Sequence, residues 1–580
     1  MSALKQIEQE VSDYLSASVP ISEGYSFSQY SLIKRIVLYE NRHYPKGKVD
    51  KQGNYKYWFD IITPRIDAEV KNIDFDTSNI EVYSPRKIDE LPSIITNLKV
   101  KEWLRENGQA EEINSAIEEG AGWGNIVWKK TGKGYERVDL KNFFVINQTA
   151  ECLDETPVIE RHQLTQSELR AKAAIYKNVD EVIKNCAIAS YSSTVQGTNT
   201  PTTTPYYEIY ERNGEVSEKD LFEAQGKEGG DENKYILAKI VAAANKGTTG
   251  GVEAKYVLFA EDLGNKKLSD IYKEYHRGRY KGRWFREGLI ELLMDVQTRG
   301  NEVGNQLARG LEWASKTIFA TEDKLIAQNI LTDLKNGDIL KAKGLTQVEV
   351  RMNGYDQLAA EWNRIIQLAN DIANSREVVT GESMPSGTPF RLSALLNQNA
   401  NKLFDFIREK LAIPFTEIFE EWIIPQIVKE LKASEVLRIT GDSDMLERLY
   451  TMIVDSWYVS NLIAIGPHDQ SIAEGLKDAK MQELKGRSQL LMTALKEVFD
   501  DFKPHVSVVI TGEQLNLDAD LQTIGTFASL EQDPVRRSAL IEMAMKKKGL
   551  DVAALPKSPP MPMQPNQGAN MAALGTEKQV

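Results

Sequence analysis

The chain has 580 residues, enough for several subdomains around a substantial core, and its 41% hydrophobic and 27% charged composition is that of an ordinary globular protein. A formal net charge of −13 argues against a protein that coats nucleic-acid phosphates. The two cysteines, Cys152 and Cys186, offer neither a zinc spacing nor a disulfide framework, which suits a reducing cytoplasm. Met1–Glu8 has no features of an export signal and no apolar run is long enough to cross a bilayer, so a protein neither exported nor membrane-embedded is expected.

Met1 to about Phe27 reads as a polar, mildly amphipathic lead-in. Helical periodicity follows over Gln29–Tyr44 and again over Tyr57–Ile73. Asn79–Ser84 alternates like a short strand, and Leu91–Asn107 and Glu111–Gly120 read as helices before Gly122–Trp128 steps into a strand. Strand patterns recur at Arg137–Asn147 and Pro157–Leu164. Thr165-Gln-Ser-Glu168 has capping-box spacing and opens a helix. Ser, Thr, Gly and Pro crowd residues 191–205 into a loop. Tyr206–Val216 is expected to be a hairpin turning at Asn213-Gly214. Glycine-rich breaks around 226–230 and 247–251 set off Tyr235–Ala243 and Tyr256–Ala260 as strands.

Ile271–Arg286 is the one markedly basic run, with Lys273, Arg277, Arg279, Lys281, Arg283 and Arg286 among Tyr272, Tyr275, Tyr280 and Trp284. Cations interleaved with aromatics suit a nucleic-acid strand. A solvated or subunit-facing surface at the start of a helix has the same composition, and Gly278 and Gly282 interrupt any continuous DNA-reading helix.

Two long amphipathic segments come next. The first, Phe285 to about Trp313, has Leu289, Leu293, Val296, Val303, Leu307 and Leu311 at helical spacing. The second, Asp356 to about Ser375, repeats the pattern with Leu358, Trp362, Ile365, Ala369 and Ile372. These are rods of roughly 40 and 30 Å. The insert Ala314–Asn353 reads as a small α/β module: strand Thr317–Ala320, helix Asp323–Leu334, and strands Asp338–Lys343 and Gln347–Met352. Its cations, including Lys324, Lys335, Lys341, Lys343 and Arg351, are nearly balanced by acids, as on a protein docking surface. After the second rod, Arg376, Glu377, Thr380, Gly381, Glu382 and Ser383 continue through Met384, Pro385, Ser386 and Gly387 as a loop punctuated by glycine and proline. Thr388 and Pro389 open a third long helix, with a bend or break expected at Pro414 and Pro425. Val436–Thr440 and Val506–Ile510 read as strands, and Met445–Ala464, Ile472–Phe502 and Leu515–Leu555 as helical. The Pro/Met/Gln/Asn-rich tail from Pro556 has no period and is expected to be disordered.

Catalytic signatures are absent from this pattern. Gly132-Lys133 is followed by Gly134 rather than Ser or Thr, so no Walker-type phosphate loop forms. His43, His162, His276, His468 and His505 pair into no metal spacing, and no nucleophile elbow occurs. A non-enzyme without cofactor or metal is expected.

The order of rod, small module, rod, loop and long helix resembles the portal proteins of tailed bacteriophages. Gly288–Asn301, Leu368–Glu382 and the Ser386-Gly-Thr that follows carry the resemblance, which spans about Phe75–Leu515 and is strongest between His276 and Lys432. It implies an α+β, mostly helical subunit. The parts would be an N-terminal wing (1–283), a first stem helix (284–313), a clip (314–354), a second stem helix (355–375), a tunnel loop (376–388), a C-terminal wing part with a kinked helix (389–514), a crown (515–555) and the tail (556–580). It further implies a homo-oligomeric ring, by analogy a dodecamer, at one capsid vertex of a virion assembled in the host cytoplasm. Terminase would dock on the clip, major capsid protein and head-completion or tail proteins would bind elsewhere, and double-stranded DNA would pass through. Leu293, Val296, Leu307, Leu358, Trp362, Ile365 and Ile372 are then expected to pack the rods side by side between subunits. A minor capsid or scaffold protein without a channel, and a nucleic-acid-processing enzyme with an unfamiliar site, remain the alternatives.

Overall fold

A computed structural model of the chain describes residues 2–49, 53–73, 80–84, 86, 89–186, 206–246, 252–315, 318–320, 346–348, 354–374, 390–430, 447, 450–451, 453–455, 457–458, 470–486, 502, 504–508, 517–530, 536–537 and 540–541. Two compact units result, Met1–Gly512 and Glu513–Val580. In the second unit the longest described element is the helix Leu517–Leu530. The first unit mixes helices with strands that pair antiparallel throughout the described residues, an α+β architecture.

The N-terminal stretch is more than a lead-in. Helix α1 (Ala3–Ser16) places Ala3, Ile7, Val11 and Tyr14 one turn apart, and all four are buried against a five-stranded sheet. That sheet runs, from one edge, β10 (Val252–Gly264), β9 (Tyr235–Lys246), β8 (Tyr206–Ser217), β7 (Val158–Thr165) and β6 (Phe143–Val145). Glu10 on α1 caps the burial of Arg212 on β8 with paired bonds of 2.7 and 2.8 Å. The opposite face carries α6 (Gln166–Ala171), whose Thr165–Glu168 capping box forms as read, and α7 (Val179–Asn185).

Strand β8 contradicts the hairpin expected at Asn213-Gly214. It is continuous over twelve residues, with Asn213 opposite Val158 on β7 and Lys239 on β9. A strand with a partner on each side gains two hydrogen-bonded ladders, whereas a turn at Gly214 would end both. At Gly214 an added Cβ would lie 2.6 Å from the Pro157 ring, so the glycine serves close strand approach rather than reversal.

A second sheet orders β11 (Tyr272–His276), β4 (Asn125–Thr131) and β5 (Gly134–Arg137). Helix α2 (Gln29–Glu40) is N-capped by Ser28, and α5 (Gln109–Trp123) leads into β4 through Gly124. Gly124, at φ +81°, and Gly288 touch backbone to backbone, and a Cβ on either would collide with the other's segment. That contact fixes the start of α9 (Leu289–Ser315) against the second sheet. Strand β3 (Ile80–Tyr83) pairs with β14 (His505–Val508), placing Tyr83 opposite His505.

Helix α10 (Tyr355–Ala373) packs on α9, with Arg299 3.7 Å from Glu361. Strands β12 (Ile318–Ala320) and β13 (Thr346–Val348) pair just past α9 and just before α10, so the two helices run antiparallel. The third long helix, α11 (Phe390–Ile418), does not break at Pro414. It continues as a π turn over Phe419–Ile423 and resumes as α12 (Ile424–Glu430), whose first turn accommodates Pro425. Burial of Phe415, Ile418, Phe419, Trp422, Ile423 and Ile424 with α4 (Glu90–Glu106) and β4 holds the helix through the proline.

Candidate functional site

The helix pair α9/α10 is rooted in the body by an unusual polar seam. Tyr57–Ile61, which periodicity assigns to a helix, is a non-helical strap laid along α9, and α3 (Thr63–Asn72) begins only after it, with Ile62 already at helical backbone angles. Gln297, Asn301 and Asn305 recur every four residues on α9. Their side-chain oxygens accept from the backbone N–H groups of Ile61 (2.8 Å), Phe59 (2.9 Å) and Tyr57 (2.8 Å). In return Gln297 donates to Phe59 O at 2.6 Å and Asn305 to Tyr57 O at 2.9 Å. The match is geometric. Four helical residues rise about 6 Å, and two extended residues advance about 6.7 Å. The amide side chains of the helix thus serve as a partner strand. Gly300 and Gly304 lie between them, and a Cβ at either would strike Ile61 or Phe59. Strap backbone that would be orphaned in this core is satisfied.

The expected rod stripe is covered by the chain itself. Leu293, Val296 and Ile365 are buried, and Leu307, Leu358, Trp362 and Ile372 are partly buried, in one core with α2 and the strap. Trp362 meets the Phe59 ring edge-on at 5.4 Å. Within one chain Leu293, Val296 and Ile365 are thus already taken up by the core, while Leu307, Leu358, Trp362 and Ile372 keep part of their surface exposed. Leu311, also expected in the stripe, is 53% exposed, as is Leu368 at 48%. The loop positions Arg376 through Gly387, and Lys324, Lys335, Lys341, Lys343 and Arg351 of the insert, lie outside the described residues.

The basic run Ile271–Arg286 is mostly consumed by the fold. Its first half is β11, paired with β4 from Tyr272 opposite Lys129 to His276 opposite Asn125. Lys273 is buried and bonds Glu421 (2.6 Å) and Glu417 (3.1 Å) on the α11–π segment. Arg277 grips Glu69 on α3 through two bonds of 2.7 and 2.8 Å, with the carboxylate almost wholly buried. Arg283 reaches Glu291 at 2.8 Å, and Lys281 reaches Glu287 at 2.6 Å. Tyr272, Tyr275 and Trp284 are core side chains, so they offer no stacking face.

Spacing also misses a buried charge cluster. Lys129 on β4 bonds Glu160 on β7 (2.6 Å) and Glu211 on β8 (2.7 Å), and Lys239 on β9 joins Glu211 at 2.8 Å. Tyr272 donates to Glu160, and Asn213 bonds Glu211 and Tyr272. His162 Nε2 stands 3.8 and 3.6 Å from the two carboxylates. Burial pushes the Glu211 carboxyl up, but His162, Lys129 and Lys239 outweigh it and hold it well below its usual range. Burial likewise pushes Lys129 down, and the two carboxylates outweigh that and hold it above its usual value. Ligand-type atoms of Glu160, His162 and Glu211 lie within 4.8 Å of one another. Two ammonium groups already balance the carboxylates, so a divalent cation would have to displace Lys129. The available signal was Glu160-x-His162, two side chains on one face of a strand; the third residue comes from the neighbouring strand.

No described helix is long and apolar enough to cross a membrane. No protein-family model matches the chain, and no curated protein matches it significantly.

Proposed function

We propose that the chain is a portal subunit, one copy in a ring that conducts double-stranded DNA through a capsid vertex. The observation carrying this reading is the order of elements. An antiparallel pair, α9 and α10, is rooted in an α+β body, the strands β12 and β13 pair at its far end, and the 29-residue α11 follows. In this reading residues 1–283 and 389–514 form the wing, α9 and α10 the stem, 314–354 the clip that meets terminase, 376–388 the tunnel loop and 515–555 the crown. The function is geometric: a ring of rods bounds the tunnel, and no residue performs covalent chemistry. Leu311 and Leu368, exposed on the rods of a single chain, supply apolar surface for self-association.

Light scattering on the purified protein tests the reading. Twelve copies of the 65.4 kDa chain give about 785 kDa, and a ring of that mass should appear in electron micrographs. A monodisperse monomer at every concentration would refute it. Replacing 314–353 by a short Gly/Ser linker should leave soluble protein that no longer captures terminase.

A further inference from the structure

A second basic, aromatic segment lies in the loop between α2 and the strap. Residues 42–58 hold Arg42, Lys46, Lys48, Lys51 and Lys56 against Asp50 alone, a local net charge of +4 in a chain of −13. This loop borders a cleft of about 440 Å³ against α9. Three aromatic rings form its wall: Trp58 meets Tyr39 edge-on at 5.7 Å and Tyr44 at 5.2 Å. Lys46, Lys56 and Arg309 line it with positive charge, Lys56 Nζ standing 5.3 Å from the Tyr44 ring centre. Thr298 and Gln306 supply polar floor, and Glu302 is the one carboxylate lining it.

Two further observations point to a ligand. The indole Nε1–H of Trp58 is buried and meets no acceptor among the described residues, although such a donor is normally satisfied. Tyr55 and Tyr57, 72% and 62% exposed, stand on the same loop and strap. The wall is also held in place before any ligand arrives. Tyr39 Oη shares a 2.6 Å hydrogen bond with Thr298, Tyr44 donates to Tyr57 O at 2.6 Å, and the polar seam on α9 fixes the strap.

We propose that this cleft binds one unpaired nucleotide of a single-stranded polynucleotide. The base stacks on an aromatic face of the Trp58–Tyr44 wall. The flanking phosphates sit at Lys46 and Lys56, away from Glu302. Stacking on aromatic side chains is tolerant of base identity and needs an unpaired base, whereas a duplex presents only phosphates to such a cleft. A volume in the range of small-ligand sites suits one nucleotide and excludes a stacked pair of strands. This inference stands independently of ring assembly.

Fluorescence polarisation of end-labelled oligo(dT) and oligo(U) decamers, and of a hairpin duplex with the same number of phosphates, tests it on the full chain at low and moderate salt. Both single strands should bind more tightly than the duplex; a preference between them identifies the sugar. Trp58→Leu should weaken oligo(dT) binding about tenfold. Because Trp58 also packs in the fold, Lys46→Gln with Lys56→Gln, both away from the core, provides the second variant and should lower affinity and flatten the salt dependence. Arg279→Gln, exposed in the other basic segment, should leave binding unchanged. Oligomers carrying 5-iodouracil should cross-link to Tyr44, Tyr55 or Trp58. Equal affinity for duplex and single strand, absence of binding, or cross-links confined to other surfaces would overturn the proposal, whatever the mass of the assembly.

Discussion

Segments 271–286 and 42–58 have nearly the same composition, cations separated by tyrosine and tryptophan, and the fold uses them in opposite ways. In the first, Lys273, Arg277 and Arg283 point into the protein and meet Glu417 and Glu421, Glu69, and Glu291. In the second, Lys46 and Lys48 are exposed, and Tyr44 and Trp58 line a cleft, with Trp58 also packing on the core. The difference arises from backbone and partners, not side-chain type. Strand β11 is the edge of a sheet packed under α11, where acidic side chains of other elements converge on it. Residues 42–49, which follow α2, are exposed apart from half-buried Tyr44, and Arg42 is the cation there that pairs with a carboxylate, Asp60 at 2.8 Å. A basic, aromatic run is thus a binding surface only where the rest of the chain has not claimed its charges.

The sharpest break of this contrast is Glu69→Ala. It strands the Arg277 guanidinium, whose side chain is 10% exposed, and unfolding in urea should show a loss of about 3–5 kcal/mol. A loss under about 1 kcal/mol would mean that the pair is solvated and the first segment is not structural.

The strap that carries the second segment should be next in sensitivity. Asn301→Leu removes the acceptor for Phe59 N–H in a buried seam. It should cost about 1–3 kcal/mol and open the strap to proteases at Tyr55–Phe59. Unchanged cleavage there would show that the seam does not hold the strap.

A pH test separates the two regions more gently. Burial, supported by Arg286 and Lys410, holds the His276 pKa below its ordinary 6.5, against the pull of Glu274. The folded chain therefore keeps this ring neutral while the unfolded chain takes up a proton below pH 6.5. Stability is full above that value and is lost as pH falls through the lower folded value. Urea midpoints should decline between pH 7 and 5, and His276→Asn should flatten the decline. An identical slope in the variant would assign it elsewhere.

The smallest effect belongs to the exposed loop. Lys46→Gln and Lys48→Gln should each shift stability by no more than about 0.5 kcal/mol. A larger shift in thermal unfolding would mean that these cations, like those of 271–286, are part of the fold.

Much of the helical skeleton was legible because burial repeats at a helical period within one segment. Gln29–Glu40, Glu90–Glu106, Leu289–Ser315 and Tyr355–Ala373 all fall where their apolar spacing puts them, and the Thr165–Glu168 capping box closes as its spacing implies. Local signals failed where a distant partner supplied the hydrogen bonds. Tyr57–Ile61 has a helical pattern, yet the amides of Gln297, Asn301 and Asn305 satisfy its backbone in a non-helical strap. Asn213-Gly214 is a strong turn signal, yet β7 and β9 make it strand interior. Ala3–Ser16 is polar along most of its length, and only the sheet that receives Ala3, Ile7, Val11 and Tyr14 makes it a core element. Sequence alone determined which segments can form helices and strands, because propensity and period act over neighbouring residues. Tertiary structure alone decided which cations are buried, where the Glu160–His162–Glu211 cluster assembles and which aromatics face solvent, because desolvation and charge pairing depend on side chains brought in from other elements of the fold.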